Sequence, residues 1–131
     1  MHLQAFVVED NPTIRENLVG TLEELTSVKV AGSSATEDEA LAWLEANGKR
    51  WDLVIVDLFL KQGSGIHLAQ RIRRQRPSQK IVVFSNYINA SVRQRCAQIG
   101  VDAVFDKSTE IDSLVDYCTH QCNCISQAQA A

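Results

Sequence analysis

Five polar positions in this chain combine residue type and placement in a way that suggests chemistry. Glu9, Asp10, Asp57, Ser85 and Lys107, the last reached through Phe105-Asp106, each come after, or at the end of, a short run of apolar residues. Where such runs are the strands of an open α/β sheet, ligands bind outside the strands' carboxyl ends. The set would then gather three carboxylates, a hydroxyl and an ammonium at one edge. Two carboxylates about 4 Å apart repel by about 4 kcal/mol at an effective dielectric near 20. Three of them call for a cation, and an all-oxygen donor set that leaves room for water suits Mg²⁺. Any one of these acids is equally well explained as a solvated turn residue. Five polar groups gathered at one edge are not.

The elements that must position them alternate along the whole chain. Leu3–Val8 is an apolar run. Asn11-Pro12 then supplies a helix cap and a proline at the first helical position. Ile14, Leu18, Leu22 and Leu25 recur at helical spacing and form one apolar face. Residues 28–31 read as a weaker strand closed by Gly32-Ser33-Ser34, and residues 36–46 as a helix stopped by Asn47-Gly48. Leu53–Val56 is continuously apolar and β-branched, the pattern of a strand buried on both faces of a parallel sheet. Gly63-Ser64-Gly65 reads as a loop, 66–75 as a helix ended before Pro77, and Ile81-Val82-Val83-Phe84 as another buried strand. Ala90–Ile99 is a helix ended by Gly100, 101–105 a fifth strand, and 111–118 the start of a last helix with Leu114 and Val115 inward. Five strand–helix pairs imply one doubly wound α/β domain, a five-stranded parallel sheet covered on both faces.

On these residues, positions 3–120 resemble a response-regulator receiver domain of two-component signalling. Glu9-Asp10, Asp57, Gly65 eight residues later, Ser85 and Lys107 occur in the family's order and spacing. The resemblance implies the flavodoxin-like strand order 2-1-3-4-5, which brings Glu9, Asp10 and Asp57 together. It implies Asp57 as phosphoryl acceptor, with Lys107 and Ser85 contacting phosphoryl oxygens. Mg²⁺ would be held by Glu9 (through a water), Asp10, Asp57 and the backbone carbonyl of Phe59. Implied partners are a sensor histidine kinase or phosphorelay protein and a downstream protein target. The implied association is a monomer or weak dimer through the fourth helix, fifth strand and fifth helix.

The chain departs from the family pattern at several positions. Val104 stands where an aromatic switch residue is usual, with Phe105 and Tyr87 the rings nearest to replace it. Ser108 follows Lys107 where proline is common, and Lys61 replaces a frequent proline after Asp57. Phe59 and Tyr87 occupy two rate-tuning positions, implying either steric cover that slows phosphoryl loss or simple local packing. Phe59 also argues against an Asp-nucleophile phosphatase, which needs a second acid two residues past its nucleophile. A pseudo-receiver that binds partners without being phosphorylated is the remaining alternative.

Composition excludes other classes. Thirteen Lys and Arg against sixteen Asp and Glu leave a net charge of −3, unlike a dedicated nucleic-acid binder. No apolar run is long enough to insert in a membrane, and the N-terminus lacks a signal peptide. Four cysteines without an export signal suit reduced thiols in the cytoplasm. One domain over 1–120 is expected, with 121–131 a short fraying tail and no output domain. The basic run Arg71, Arg73, Arg74, Arg76 and Lys80 reads as a solvated helix end, with an acidic partner or nucleic acid the alternative. Cys118, His120, Cys122 and Cys124 resemble a zinc set, but helical spacing puts only Cys118 and Cys122 on one face. His2 and His67 read as surface residues without partners, and Trp43 and Trp51 as half-buried packing.

Overall fold

The computed structural model describes residues 3–48 and 50–130, with side chains described as far as Cys124. Its elements are β1 (Leu3–Val8), α1 (Pro12–Leu25), β2 (Val28–Ser34), α2 (Glu37–Asn47), β3 (Leu53–Val56), α3 (Gly65–Gln75), β4 (Lys80–Ser85), α4 (Ala90–Ile99), β5 (Ala103–Asp106) and α5 (Ile111–Ala130). All strand pairs are parallel and the order is β2-β1-β3-β4-β5. This is the flavodoxin-like arrangement that the family resemblance implied.

The strand runs are apolar throughout because the sheet is covered twice. Ala5, Val7, Leu53, Ile55 and Val82 pack against Leu18 and Leu22 of α1 and Leu114 and Cys118 of α5. Phe6, Val8, Val54, Val56 and Ile81 face Leu41 and Leu44 of α2 and Leu68 and Ile72 of α3. Val83 continues that second face toward Cys96 of α4. Alternate residues of each strand thus serve opposite layers.

Local signals set the boundaries. Asn11 Oδ1 accepts from the Thr13 and Ile14 amides at 3.0 and 3.1 Å, and Pro12 opens α1. Thr36, Ser64 and Asn89 cap α2, α3 and α4 in the same way. The register between β1 and β3 pairs Val8 with Val56, so Glu9 and Asp57 leave adjacent strands side by side.

The structure corrects several expectations. β2 runs through Gly32-Ser33-Ser34 rather than stopping there, because its pairing with β1 uses backbone groups and tolerates polar side chains. β5 begins at Ala103. α5 continues past residue 121 to Ala130, where a fraying tail was expected. Leu25, expected on the apolar face of α1, is 61% exposed as the last residue of the helix before its cap Thr26. Trp51 is fully buried rather than half-buried, at 1% exposure. Trp43 is half-buried and stacks on Phe6 with centroids 4.2 Å apart. His2 lies outside the described residues. No helix among the described residues is long and apolar enough to cross a membrane.

Candidate functional site

Every side chain of the site sits at the C-terminal edge of the sheet because each ends or follows a strand that the core holds. Asp57 leaves β3 still paired: its amide donates to Val8 O at 3.0 Å. Glu9 leaves β1 with its amide on Ser34 O at 3.0 Å, and Lys107 leaves β5 with its amide on Ser85 O at 3.0 Å. The carboxylate of Asp57 accepts from Ser85 Oγ at 2.6 Å and from the Phe59 amide at 3.2 Å. Its other oxygen lies 2.9 Å from Lys107 Nζ, which also reaches Glu9 Oε2 at 2.7 Å. Glu9, Asp57 and Ser85 are buried, and Asp10 is half-exposed.

The charge balance here is uneven. Carboxylate oxygens of Glu9, Asp10 and Asp57 lie within 4.8 Å of one another, with a single ammonium among them. Burial, followed by proximity to Asp57, pushes Glu9 up to about 7. Burial also acts to raise Asp57, but hydrogen bonds from Glu9, Ser85, Lys107 and the Phe59 amide outweigh it and hold Asp57 below the usual carboxylate range. The surplus proton therefore settles on Glu9, the acid with fewer donors. Burial disfavours charge on Lys107, yet its two carboxylate partners prevail and raise its pKa. A cluster of hard oxygen donors that must bind a proton to relieve its charge fits a divalent cation such as Mg²⁺.

The loop after β3 is pinned at two points. The Lys61 amide donates to Asp10 Oδ2 at 2.7 Å. Proline, frequent here in the family the sequence resembles, has no N–H and would forfeit that bond. Further along, the Ser64 amide donates to Glu37 Oε1 at 2.9 Å, and Glu37 Oε2 bonds His67 Nδ1 and lies 3.6 Å from Arg71. Hydrogen bonding to Ser64 and His67 overcomes burial, the largest opposing influence, and lowers the Glu37 pKa. Gly63 makes the closure possible: its φ is +92° and a Cβ there would sit 2.5 Å from Glu37 Cβ. Gly65 lets α3 start against β3, since a Cβ would lie 2.2 Å from Asp57 O. This clasp was missed from sequence: Glu37 and His67 are thirty residues apart, and His67 read as a lone surface residue.

Other expectations resolve as follows. Val104 packs with Leu58, Val83 and Cys96 on the α4 side, whereas Phe105 faces the opposite layer and meets Tyr117 edge-to-face at 5.8 Å. Phe105 therefore cannot replace a ring at position 104. Tyr87 is 83% exposed in a left-handed conformation, with Phe59 in edge contact at 6.4 Å. Ser108, in place of proline, donates its amide to Asp106 Oδ1 at 2.8 Å. Every described peptide bond is trans. Arg73, read as part of a solvated run, instead binds the carbonyls of Pro77, Gln79 and Gly100 and pairs with Asp102 at 2.6 Å. Cys118 and Cys122 point into the core while Cys124 and His120 face outward, 3.6 Å apart, so the four do not converge.

Comparison with known proteins agrees with this geometry. The response regulator receiver domain model matches residues 5–119. Response regulator protein VraR of Staphylococcus aureus is 24% identical over 116 residues, covering 88% of this chain and 54% of that protein. The chain thus spans about half the length of the curated relatives it matches. Among solved structures, a CheY-like receiver domain protein from Methanospirillum hungatei superposes with a TM-score of 0.81 at 20% identity, covering all of both chains. A LuxR-family response regulator from Aurantimonas superposes with a TM-score of 0.81 at 22% identity, over 88% of this chain and 81% of that one. The chain belongs to the response-regulator receiver family, whose members are phosphoryl-accepting signalling modules that bind Mg²⁺ at an acidic site like this one.

Proposed function

We propose that Asp57 accepts a phosphoryl group from the phosphohistidine of a sensor kinase or phosphorelay protein, and that this switches contacts with a downstream protein. A carboxylate oxygen of Asp57 attacks phosphorus. The P–N bond breaks as the P–O bond forms, and the imidazole departs with the electron pair and takes up a proton from solvent. Lys107, now bonded to Asp57, transfers its contact to a phosphoryl oxygen as a point charge. Ser85 donates its hydroxyl to another phosphoryl oxygen instead of to Asp57. Mg²⁺, which Asp10, Asp57 and the Phe59 carbonyl would hold with Glu9 acting through a water, would neutralise charge spread over the equatorial oxygens. Acceptance and later hydrolysis are reactions of the chain's own aspartate, with no separate turnover of substrate.

One observation carries this reading. The Asp57 carboxylate is held ionised by a hydroxyl, an amide and an ammonium at 2.6, 3.2 and 2.9 Å, beside two further acids. A nucleophile so placed needs only a phosphodonor and a cation. Incubation with acetyl phosphate and Mg²⁺ should add one phosphoryl mass, labile to hydroxylamine, to the wild type and none to Asp57→Asn. Equal labelling of Asp57→Asn overturns the assignment. A wild type that stays unlabelled with every small donor and Mg²⁺ would favour an interaction module that is never phosphorylated.

A further inference from the structure

Charge is divided along this chain in a way its net value hides. Between Leu58 and Val101 there are eight Lys and Arg and not one Asp or Glu; all sixteen acids lie outside that stretch. The stretch contains α3 and α4, which pack side by side on one layer. Four of the eight are engaged, Arg71 with Glu37, Arg73 and Lys80 with Asp102, and Arg93 with Glu110, while Arg76 is half-buried just past α3 without an ion pair to any described residue. The side chains of Lys61, Arg74 and Arg95 are exposed or at the surface and make no ion pair with any described residue.

Those three line a groove in two parts that share Arg95. The part nearer the strand ends, about 570 Å³, is lined by the buried Leu58, the half-buried Ile66 and Val92, Phe59, which is 56% exposed, and Lys61. The part farther along, about 410 Å³, is lined by Arg74, Arg95 and the amides of Gln70 and Gln98. An apolar bed continues into a cationic, hydrogen-bonding stretch.

We propose that this α3–α4 groove docks a short acidic, amphipathic segment of a partner protein. Aliphatic side chains would sit over Ile66 and Val92, with carboxylates against Arg95 and Arg74. Guanidinium groups match carboxylates bidentately, and an amphipathic helix laid in a groove reads as apolar anchors at helical spacing. A nucleic-acid backbone fits less well. It gains nothing from an aliphatic bed, it would want more free cations than three, and a long polyanion would meet the acidic remainder of the chain. A short segment confined to the groove avoids that repulsion within a Debye length of about 8–10 Å. The groove abuts the phosphoryl-accepting cluster at Phe59 and Lys61, but Ile66, Arg74, Val92 and Arg95 take no part in that cluster and the groove is present in the unmodified chain, so its test does not depend on phosphorylation.

The test selects short random peptides displayed on phage against unmodified wild type, with Arg74→Glu/Arg95→Glu as counter-target. Both positions are exposed, and matching thermal melts verify that the variant keeps its fold. The expected consensus joins aliphatic residues at helical spacing to Asp or Glu. The corresponding synthetic peptides should lose at least about tenfold in affinity against the double variant, and raised salt should weaken them. They should also bind less well to Val92→Ser, and should shift the amides of Ile66, Val92 and Arg95. Selection of neutral or basic peptides, equal binding to the charge-reversed variant, or shifts confined to α1 and α5 would overturn the proposal. So would a duplex DNA oligonucleotide that binds the same residues more tightly than the peptides do.

Discussion

The chain has two clusters built around buried acids near the same sheet edge, and they are balanced in opposite senses. At Glu9, Asp10 and Asp57, three acids share one ammonium, and Glu9 is pushed up to about 7 by burial and by Asp57. At Glu37, one acid has a histidine, an arginine and a backbone amide, and its pKa is lowered against the opposing effect of burial. Both sets satisfy buried oxygen atoms. Only the first leaves negative charge over, and that surplus is what a cation or an incoming phosphoryl group can use. The second closes on itself and holds the loop that passes the first. A charge surplus marks the reactive cluster; a filled set marks the structural one.

The comparison is broken most severely by removing the one cation from the surplus cluster. Lys107→Met leaves Glu9 and Asp57 facing each other in a buried site, and loss of one partner of a buried pair costs about 3–5 kcal/mol. The loss should be largest near pH 8 and smaller near pH 5.5, where Glu9 carries a proton. Urea unfolding at the two pH values checks this; an identical loss at both would mean that Glu9 does not absorb the imbalance.

The next effect is the opposite pH response of the two clusters. Glu9 has a folded pKa above its ordinary value of 4.5, so between the two values the folded chain binds the extra proton. Its stability contribution is greatest below 4.5 and is lost as pH rises to about 7. Glu37 has a folded pKa below 4.5, so its contribution is present above that value and is lost as pH falls through the folded pKa. Glu9→Gln should flatten the stability profile between pH 4.5 and 7 and leave the acid limb in place. In the wild type, Mg²⁺ must displace the Glu9 proton, so its affinity should be weaker at pH 6 than at pH 8. Isothermal titration in buffers of different ionisation enthalpy should detect the released proton at pH 6. A pH-independent Mg²⁺ affinity would remove Glu9 from the metal set.

A smaller effect is expected at the filled cluster. Glu37→Gln keeps the shape but weakens the bonds to Ser64, His67 and Arg71, at a cost of about 1–2 kcal/mol. His67 and Arg71 lose little more, because their side chains are 59% and 39% exposed and return to water. Mg²⁺ affinity should stay near the wild-type value, since the Lys61 amide on Asp10 and the Phe59 amide on Asp57 still hold the near end of the loop. Chemical denaturation and a Mg²⁺ titration of the same variant separate the two roles.

The contrast also explains what could be read from sequence. The reactive cluster was legible because each member follows an apolar strand run, and strand ends in a parallel α/β sheet converge. Periodicity predicted the alternating elements, but the strand order came only from the family resemblance. The Glu37 clasp was not legible, because a hydrogen bond across thirty residues has no periodic signature. Nor were the backbone donors: the amides of Phe59 and Lys61 are ordinary until the loop's course is known. Trp51 was underestimated because it lies just past the helix stop Asn47-Gly48, whereas the next residue, Asp52, is drawn into pairing with Gln4 across the base of β1 and Trp51 is buried with it.

The smallest effect concerns transmission out of the reactive cluster. Ser85→Ala removes a 2.6 Å bond to Asp57 and a weaker one from the Leu58 amide at 3.4 Å, costing about 1 kcal/mol. Lys107, the Phe59 amide and the acids remain, so phosphoryl acceptance should continue nearly unchanged. A bound group can shift an equilibrium only by its differential interaction with the two states. With Ser85 gone, a phosphoryl group loses its contact with the end of β4, the strand that leads into α4. Val104 has no ring to swing, and Phe105 faces the other layer, so displacement on the α4 side has to pass through β4 and the small apolar cluster around Val83 and Cys96. Beryllofluoride should therefore move the amides of Ala90–Ile99 and Ala103–Asp106 modestly in the wild type and much less in Ser85→Ala. Equal shifts in the two proteins would place transmission on Lys107 alone.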